Sequence, residues 1–279
     1  FRDHCKLEPL PDGRAILSHD QVEAARMRHA GYKVCVWAAE DGSFEANPPA
    51  LPEFLHRDSR WLAGNLQYWH LLRLPGFTAM GRWQLVQAML LFAGAPLYAA
   101  TLLLAALSAA TGGGDATPRS ALLALTIAWP LAIYLPKLLG FFHVLARGRV
   151  RYGGFWRYAA GMLAETAFTL LLDAIATIHK TLALGALLLG AHTGWDAQNR
   201  ADRGVGWAEA TRMFWPHTLI GLVAFAGFAA SSWAMVLWAM PWAAGLVLAI
   251  PFCVVTANPG LSGWLQTHQI AAVPEELNQ

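Results

Sequence analysis

The chain has 279 residues, of which 56% are hydrophobic and 14% are charged, and its formal net charge is +2. Soluble domains carry about 25% charged residues, so this composition excludes an ordinary soluble protein and predicts a membrane protein. The small net charge, without a run of basic residues, excludes a typical nucleic-acid-binding protein. The cysteines Cys5, Cys35 and Cys253 lack metal-ligand spacing and are predicted to be free thiols.

Charged residues are concentrated in the first part of the chain. Residues 1–82 contain ten Lys or Arg and ten Asp or Glu, whereas the longer remainder contains ten and eight. We therefore predict a cytoplasmic domain over residues 1–82, a transmembrane domain over 83–258 and a cytoplasmic tail over 259–279. The chain begins at Phe1 without a signal-peptide pattern, and we expect it to be the C-terminal portion of a longer protein.

The first predicted helix follows a short apolar run. Ala15–Leu17 is apolar and is followed by Ser18-His19-Asp20. The spacing of apolar residues then predicts a helix over 21–30. Gly31 is predicted to end it, because glycine is favoured just past a helix end.

A strand and a second helix are predicted before the membrane part. Tyr32–Ala38 alternates and is rich in β-formers, which predicts a strand. A short helix is predicted over Pro52–Asp58, with Arg60 and Trp61 at its end. Residues 1–82 are therefore predicted to be a mixed α/β segment.

The remainder contains several candidate membrane spans. A span needs about 20 mainly apolar residues, which predicts spans over Trp83–Ala110, Ser120–Ala146, His217–Met240 and Trp242–Ala257. Phe155–Trp195 is interpreted either as two short spans or as one span preceded by a helix on the membrane surface. Two spans give six in total and a cytoplasmic C-terminus, whereas one gives five and an external C-terminus.

Arginines orient the predicted bundle. They cluster after the second span, at Arg147, Arg149, Arg151 and Arg157. The positive-inside rule places this loop, and therefore residues 1–82, in the cytoplasm.

A polar stripe follows in the ambiguous stretch. Glu165, Thr169, Asp173 and Thr177 recur every four residues and so share one helix face. Such a helix lies at the membrane interface or turns its polar face into the bundle.

Asp20 is the first candidate catalytic residue. A carboxylate at the end of an apolar run and the start of a helix lies where open α/β sheets hold ligands. The helix N-terminus stabilises its ionised form, which a general base requires. The alternative is that Asp20 is only the helix N-cap.

Arg57-x-x-Arg60-Trp61 is the second candidate site. Guanidinium groups pair with phosphate, and tryptophan offers a flat apolar face to a sugar ring. The alternative is anchoring at the membrane edge, where arginine and tryptophan are common.

Together the two signatures resemble those of processive family 2 glycosyltransferases. Those enzymes, such as cellulose and hyaluronan synthases, carry an acidic [TS]-x-D signature and then Q-x-x-R-W just before membrane helices. Here Ser18-His19-Asp20 and Arg57-x-x-Arg60-Trp61 stand in those places. Arg57 replaces the glutamine.

The chain is more closely similar to the glucans biosynthesis glucosyltransferase H family of Gram-negative bacteria. The similarity covers essentially the whole chain. It is carried by ILSHDxVEAAxMRxAG at Ile16–Gly31, RDxRWxxGN at Arg57–Asn65, LPKLL at Leu135–Leu139 and YGGFWR at Tyr152–Arg157. In that subfamily Arg57 is the expected residue.

The resemblance implies an inverting transfer of glucose from UDP-glucose to a growing β-1,2-glucan, exported across the bacterial inner membrane to form osmoregulated periplasmic glucans. It implies an α-helical membrane bundle, favours the count of six spans, and implies that the bundle is preceded by the C-terminal part of a cytoplasmic α/β GT-A domain. Asp20 would be the base, and Arg60 and Trp61 would hold the donor diphosphate and acceptor sugar. Arg57 and His19 are further substrate-binding candidates.

The resemblance also implies partners and a cofactor. Expected partners are UDP-glucose, the glucan acceptor, membrane lipids and periplasmic glucan-processing proteins, but no nucleic acid. No D-x-D motif occurs, so we expect the donor site and a divalent cation, Mg²⁺ or Mn²⁺, to lie outside this chain, no metal ligands within it, and no activity from the chain alone. Glu165 and Asp173 are candidates for a glucan path.

Two alternatives remain. One is another processive family 2 polysaccharide synthase, which makes cellulose, hyaluronan or a related polymer. The other is a non-enzymatic multi-span transporter or scaffold, in which Asp20 would have no catalytic role.

Overall fold

The computed structural model describes residues 1, 3–11, 13–36, 47–112, 119–191 and 199–277. Before the predicted membrane part, the helices are α1 (Asp20–His29), α2 (Leu51–Leu66) and α3 (Tyr68–Leu71). They are followed by α4 (Ala79–Ala93), α5 (Ala95–Ala110), α6 (Arg119–Arg147), α7 (Phe155–Leu188), α8 (Trp207–Ser231), α9 (Trp233–Val247), α10 (Ala249–Thr256), α11 (Pro259–Thr267) and α12 (Pro274–Leu277). A 3₁₀ turn spans Arg149–Tyr152.

The chain divides into two compact units. The first consists of Phe1–Thr101 and Ala176–Asp202, and the second of Leu102–Ile175 and Arg203–Gln279. Each unit therefore contains part of α7.

The first unit is built on an apolar core formed by α1, α3 and α4. The core contains Leu10, Val22, Ala25, Tyr68, Leu71, Phe77, Leu85 and Ala88. At Gly81, α4 passes so close to α1 that an added Cβ would lie 3.2 Å from Ala25 Cβ. Burial of this apolar surface fixes α1 and α3 on α4.

The second unit contains a tightly packed pair, α8 and α9. A Cβ on Gly221 of α8 would lie 2.8 Å from Leu246 Cβ and 2.8 Å from the backbone nitrogen of Val247. Small residues at such crossings let helix backbones approach closely, as is common in membrane bundles.

Membrane-spanning candidates are abundant, as the sequence predicted. Within the described residues, four helical segments are long and apolar enough to cross a membrane: Ala79–Ala110, Leu123–Arg147, Phe155–Leu188 and Trp207–Ser231. A fifth candidate is the pair α9 and α10, which is bent by 59°. The chain is therefore a polytopic helical membrane protein with four or five candidate spans, and the predicted count of six is not confirmed.

The predicted spans His217–Met240 and Trp242–Ala257 are wrong in their boundaries, because α9 runs from one range into the other and α10 begins only at Ala249. The predicted His217–Met240 span is interrupted at Ser232, which ends α8 and caps α9 with a hydrogen bond from the backbone N–H of Met235 to its side chain. Phe155–Leu188 is one continuous helix, so two short spans do not form there. The predicted end at Trp195 lies outside the described residues.

The α/β character predicted for residues 1–82 is not observed in the part of the chain that the structure describes. The strand prediction is wrong for Tyr32–Val36, which has no regular secondary structure, and residues 37–38 lie outside the described ranges. The described elements of this segment are helices. Gly31 follows the end of α1 with φ +89°, as predicted for a terminating glycine.

Candidate active site

Asp20 lies at the open end of α1. It is the first residue of the helix, and its side chain is 85% exposed. The residue at the cap position is His19, so the interpretation of Asp20 as an N-cap is wrong. The N-terminal end of the helix dipole stabilises a carboxylate at this position.

His19 links Asp20 to a second carboxylate. Its Nδ1 atom lies 3.3 Å from Asp20 Oδ1 and 3.3 Å from Glu23 Oε2, one turn along the helix. An Nδ1–H group at this position can donate to either carboxylate. The side chain that flanks the candidate base is therefore oriented by α1 itself.

The segment before Asp20 is held by the C-terminal end of α2. A methyl group on Gly64 would lie 2.6 Å from Ser18 Cβ and 2.7 Å from its backbone nitrogen. No other residue fits here without displacing the segment, since real Cβ atoms do not approach so closely. Gly64 thus places Ser18 directly against α2.

Gln67 fixes the same segment with two hydrogen bonds. Its Oε1 accepts from the backbone N–H of Leu17 at 2.8 Å, and its Nε2 donates to the carbonyl of Ala15 at 3.1 Å. Gln67 is buried. Its buried amide therefore ties two backbone groups of this segment to the end of α2.

Tyr68 adds a third restraint at Ser18. Its hydroxyl donates to Ser18 Oγ at 3.1 Å, and its side chain is fully buried. Burial raises the pKa of Tyr68, and the nearby charge of Asp20 adds to the increase. The phenol therefore stays protonated at neutral pH and remains a donor.

The Arg57–Trp61 signature lies within α2, not at the end of a shorter helix. The prediction of a helix over Pro52–Asp58 is wrong in its C-terminal boundary, because the helix continues to Leu66. Leu55 and Leu62 lie seven residues apart on the same face and are completely buried. Their burial stabilises the helical conformation across the Arg57–Trp61 signature.

Two of the three predicted binding residues of this signature form one surface. The Arg57 guanidinium carbon lies 4.8 Å from the centre of the Trp61 ring and 5.7 Å from that of Phe54. The Trp61 side chain remains exposed. Arg60 is buried instead, with 7% of its surface exposed. Arg57 therefore shares a face with Trp61, whereas Arg60 lies on a covered side of α2.

The two signatures meet through Gly64, Gln67 and Tyr68, none of which the sequence analysis assigned a role. Gly64 belongs to the RDxRWxxGN block, which was the available signal. Gln67 and Tyr68 gave no signal, because their partners lie about 50 residues earlier in the chain. The residues between Arg57 and Arg60 also have distant partners: Asp58 lies near Lys180, and Ser59 near His179.

A cleft lies beside the Ala15–Leu17 segment. Its volume is about 650 Å³, and Leu17, Ala63, Gln67, His70 and Leu187 are among its lining residues. This volume is in the range of small-molecule sites. The candidate base segment therefore borders a space large enough for a sugar unit.

The second unit pairs the polar stripe of α7 with α6. Lys137 Nζ lies 2.8 Å from Glu165 Oε1 and 2.7 Å from Thr169 Oγ1. The Tyr134 hydroxyl donates to Asp173. The predicted common face of Glu165, Thr169 and Asp173 is confirmed, since all three meet α6.

Several curated proteins similar to this chain are named glucans biosynthesis glucosyltransferase H. A Pseudomonas putida protein named glucans biosynthesis glucosyltransferase H is 33% identical over 301 aligned positions, which cover 99% of this chain and 34% of that protein. Proteins of the same name from Rhodopseudomonas palustris and Escherichia coli are 34% and 32% identical, over 90% and 99% of this chain and 37% and 35% of theirs. No protein-family model matches, and no solved structure is significantly similar. The chain spans about a third of the length of the curated relatives it matches.

Proposed function

Because this chain is homologous over nearly its whole length to proteins named glucans biosynthesis glucosyltransferase H, we propose that it is the C-terminal portion of an inverting family 2 glucosyltransferase. The proposed reaction transfers glucose from UDP-glucose to a growing β-1,2-glucan. The observation that carries the proposal is the close contact between Gly64 and Ser18. This contact packs the segment that precedes Asp20 against α2, the helix that contains the Arg57–Trp61 signature.

Asp20 is the proposed general base. Its exposed carboxylate accepts the proton of the acceptor hydroxyl as that oxygen bonds to the anomeric carbon of the donor. The bond from the anomeric carbon to the diphosphate breaks, and UDP leaves with the electron pair. A single displacement inverts the configuration. The position of Asp20 at the N-terminus of α1 is one that favours an anionic group, as a general base requires.

Trp61 and the arginines are the proposed substrate-binding groups. The exposed Trp61 ring offers an apolar face to the acceptor sugar, and Arg57 stacked on it supplies a cation for the diphosphate. His19, held between Asp20 and Glu23, is positioned to donate to a sugar hydroxyl. Arg60 was expected to hold the diphosphate, and its burial favours Arg57 for that contact.

The donor site and its divalent cation are proposed to lie in the rest of the protein. A Mg²⁺ or Mn²⁺ ion there would neutralise the leaving diphosphate. Among the described residues, one group could offer three ligands to an ion: His19, Asp20 and Glu23, whose ligand atoms lie within 4.8 Å of one another. An ion bound there would occupy the carboxylate needed as the base, so this group does not fit the role of the donor metal site.

The proposed setting is the bacterial inner membrane. The arginines around the 3₁₀ turn at Arg149–Tyr152 support a cytoplasmic position for this turn and for residues 1–82 under the positive-inside rule. The glucan then leaves toward the periplasm, where glucan-processing proteins would receive it. Glu165 and Asp173, which face α6, are proposed to border its path.

The test uses membranes that contain the complete protein encoded by the reading frame of this chain. Radiolabelled glucose from UDP-glucose should enter a β-1,2-linked polymer, and Asp20→Asn should lower the rate roughly 10²- to 10⁴-fold, the usual contribution of a general base. Asp202→Asn, at an exposed position, is the matched control and should leave the rate unchanged. This chain expressed alone should be inactive.

Three outcomes would overturn parts of the proposal. A polymer with β-1,4 linkages would favour a cellulose-type synthase. An unchanged rate in Asp20→Asn would remove the base and favour a transporter or scaffold. Transfer from UDP-glucose by this chain alone would show that the donor site lies within it.

A further inference from the structure

Two residues of α2 between Arg57 and Trp61 are attached to α7. Ser59 Oγ lies 3.1 Å from His179 Nε2, and Asp58 Oδ2 lies 3.5 Å from Lys180 Nζ. Both contacts lie within the first unit and join two consecutive residues of α2 to two consecutive residues of α7. A double attachment of this kind restrains both the rotation and the translation of a helix.

The charged contact is largely removed from solvent. The side chains of Asp58 and Lys180 are 10% and 23% exposed. The Lys180 ammonium also lies 5.5 Å from the centre of the Phe92 ring, within the range of a cation–π contact. Removing either charge would leave the other buried without its partner, which is strongly unfavourable.

The attachment lies inside the Arg57–Trp61 signature. Arg57 and Trp61 are one turn apart and stack on each other, whereas Asp58 and Ser59 between them point to α7. Successive residues of a helix are rotated by about 100°. Any rotation of α2 about its axis would therefore move the attached side and the Arg57–Trp61 surface together.

We propose that His179 and Lys180 are positioning residues that hold the Arg57–Trp61 surface in its substrate-binding orientation through Ser59 and Asp58. The proposal rests on the function proposed above and adds a role for α7 in it. Neither residue touches the reacting groups. Their effect passes through the orientation of α2.

The kinetic test compares Lys180→Met, Asp58→Asn and the double variant in the complete protein. Lys180→Met should lower kcat/KM for UDP-glucose at least tenfold, measured per folded enzyme. The double variant should recover at least threefold over Lys180→Met, because no unpaired carboxylate remains. Lys180→Arg should retain most activity. Lys33→Met, which removes a lysine at an exposed position, is the control and should stay within twofold.

A labelling test reports on the orientation of α2 and does not require glucosyl transfer. Cys5, Cys35 and Cys253 are replaced by serine, Trp61→Cys is introduced, and the rate of maleimide labelling is measured. Lys180→Met should change this rate at least threefold, whereas Lys33→Met should not. An unchanged rate would overturn the positioning role.

The two tests separate this inference from the proposed function. If the parent protein transfers no glucose but the labelling rate responds to Lys180→Met, the function fails and the coupling of α7 to α2 stands. If the parent protein is active and Lys180→Met only lowers thermal stability, with kcat/KM and labelling unchanged, the inference fails and the function stands.

Discussion

Helices α1 and α2 carry the two signatures of the candidate site in opposite ways. The functional groups of α1 are exposed and are arranged by their own neighbours, since His19 bridges Asp20 and Glu23 within one helical turn. Within α2, Asp58 and Arg60 are buried, and Asp58 and Ser59 meet partners about 120 residues away in the chain. The proposed base is therefore exposed at the start of α1, whereas the residues between Arg57 and Trp61 of α2 are held by partners distant in the chain.

This difference predicts two kinds of damage. Changes at Asp20 should remove activity with little loss of stability, because the side chain packs against almost nothing. Changes in α2 and its contacts should affect activity and stability together. The predictions that follow test this contrast, beginning with the largest expected effect.

Gly64→Ala should be the most disruptive small change. The added methyl group would lie 2.6 Å from Ser18 Cβ and must displace the segment that carries Asp20. We expect a loss of stability of about 1–3 kcal/mol from overpacking and a fall in transfer rate of roughly 10²-fold, the cost of a displacement of about 1 Å.

The matched control is Gly140→Ala in α6. A Cβ there meets no atom within 4 Å, so helix propensity should favour the variant slightly. Thermal unfolding and transfer assays on both variants give the comparison. Equal behaviour of the two would mean that the contact between Gly64 and Ser18 does not position the base.

Lys180→Met should make stability depend on pH. Burial raises the pKa of Asp58 above its ordinary value of 3.8, and Lys180 opposes that increase. Without Lys180 the folded-state pKa rises further, so the folded protein binds this proton more tightly than the unfolded chain. The contribution of Asp58 is then most favourable below the unfolded pKa and is lost as the pH rises through the folded pKa.

Thermal unfolding in detergent from pH 4 to 8 measures this effect. We expect Lys180→Met to lose up to about 3 kcal/mol relative to the parent protein across the range, as for a broken buried pair. The double variant with Asp58→Asn should lack the pH-dependent part. A similar slope in both variants would assign the dependence to another group.

Tyr68→Phe should produce a moderate effect. The change removes one buried hydrogen bond to Ser18, worth about 1 kcal/mol, and leaves the Gln67 contacts in place. We expect transfer to fall several-fold. The effect should be the same from pH 6 to 9, because the raised pKa of Tyr68 keeps its phenol protonated there. A loss as large as that of Gly64→Ala would contradict this ranking.

Replacing both Glu165 and Asp173 by leucine should affect the transfer step least. These residues lie in the second unit, where Glu165 pairs with Lys137 and Asp173 accepts a hydrogen bond from Tyr134 of α6. If they border the glucan path, periplasmic glucan should fall while transfer in membrane fragments is unchanged. The double change to glutamine and asparagine, which keeps the hydrogen-bonding shape, is the control. Unchanged export would reject their role.

Sequence patterns predicted the helix ends and spans that are determined by residues close together in the chain. The start of α1 near Asp20 and its end at Gly31 follow from helix-end chemistry within a few residues. The spans follow from uninterrupted apolar sequence, although Ser232 divided one of them. The strand prediction failed at Tyr32–Val36 because β-propensity forms a strand only when a partner strand supplies hydrogen bonds.

The restraints on the candidate site were not predictable in the same way. Gly64, Gln67 and Tyr68 act on residues about 50 positions earlier, and His179 on a residue 120 positions earlier. No pattern within a helix specifies such a pairing. The sequence supplied the candidate groups for the proposed reaction, but the residues that contact and orient them were found only in the tertiary structure.

The separation of Ser59 and His179 has a consequence for biosynthesis. The 120 residues between them take roughly 6–24 s to synthesise at about 5–20 residues per second. During that interval α2 has left the ribosome while its two anchors on α7 do not yet exist. Helix α2 of a nascent chain therefore lacks the Lys180 partner of Asp58 until α7 has been translated, and the site is completed late.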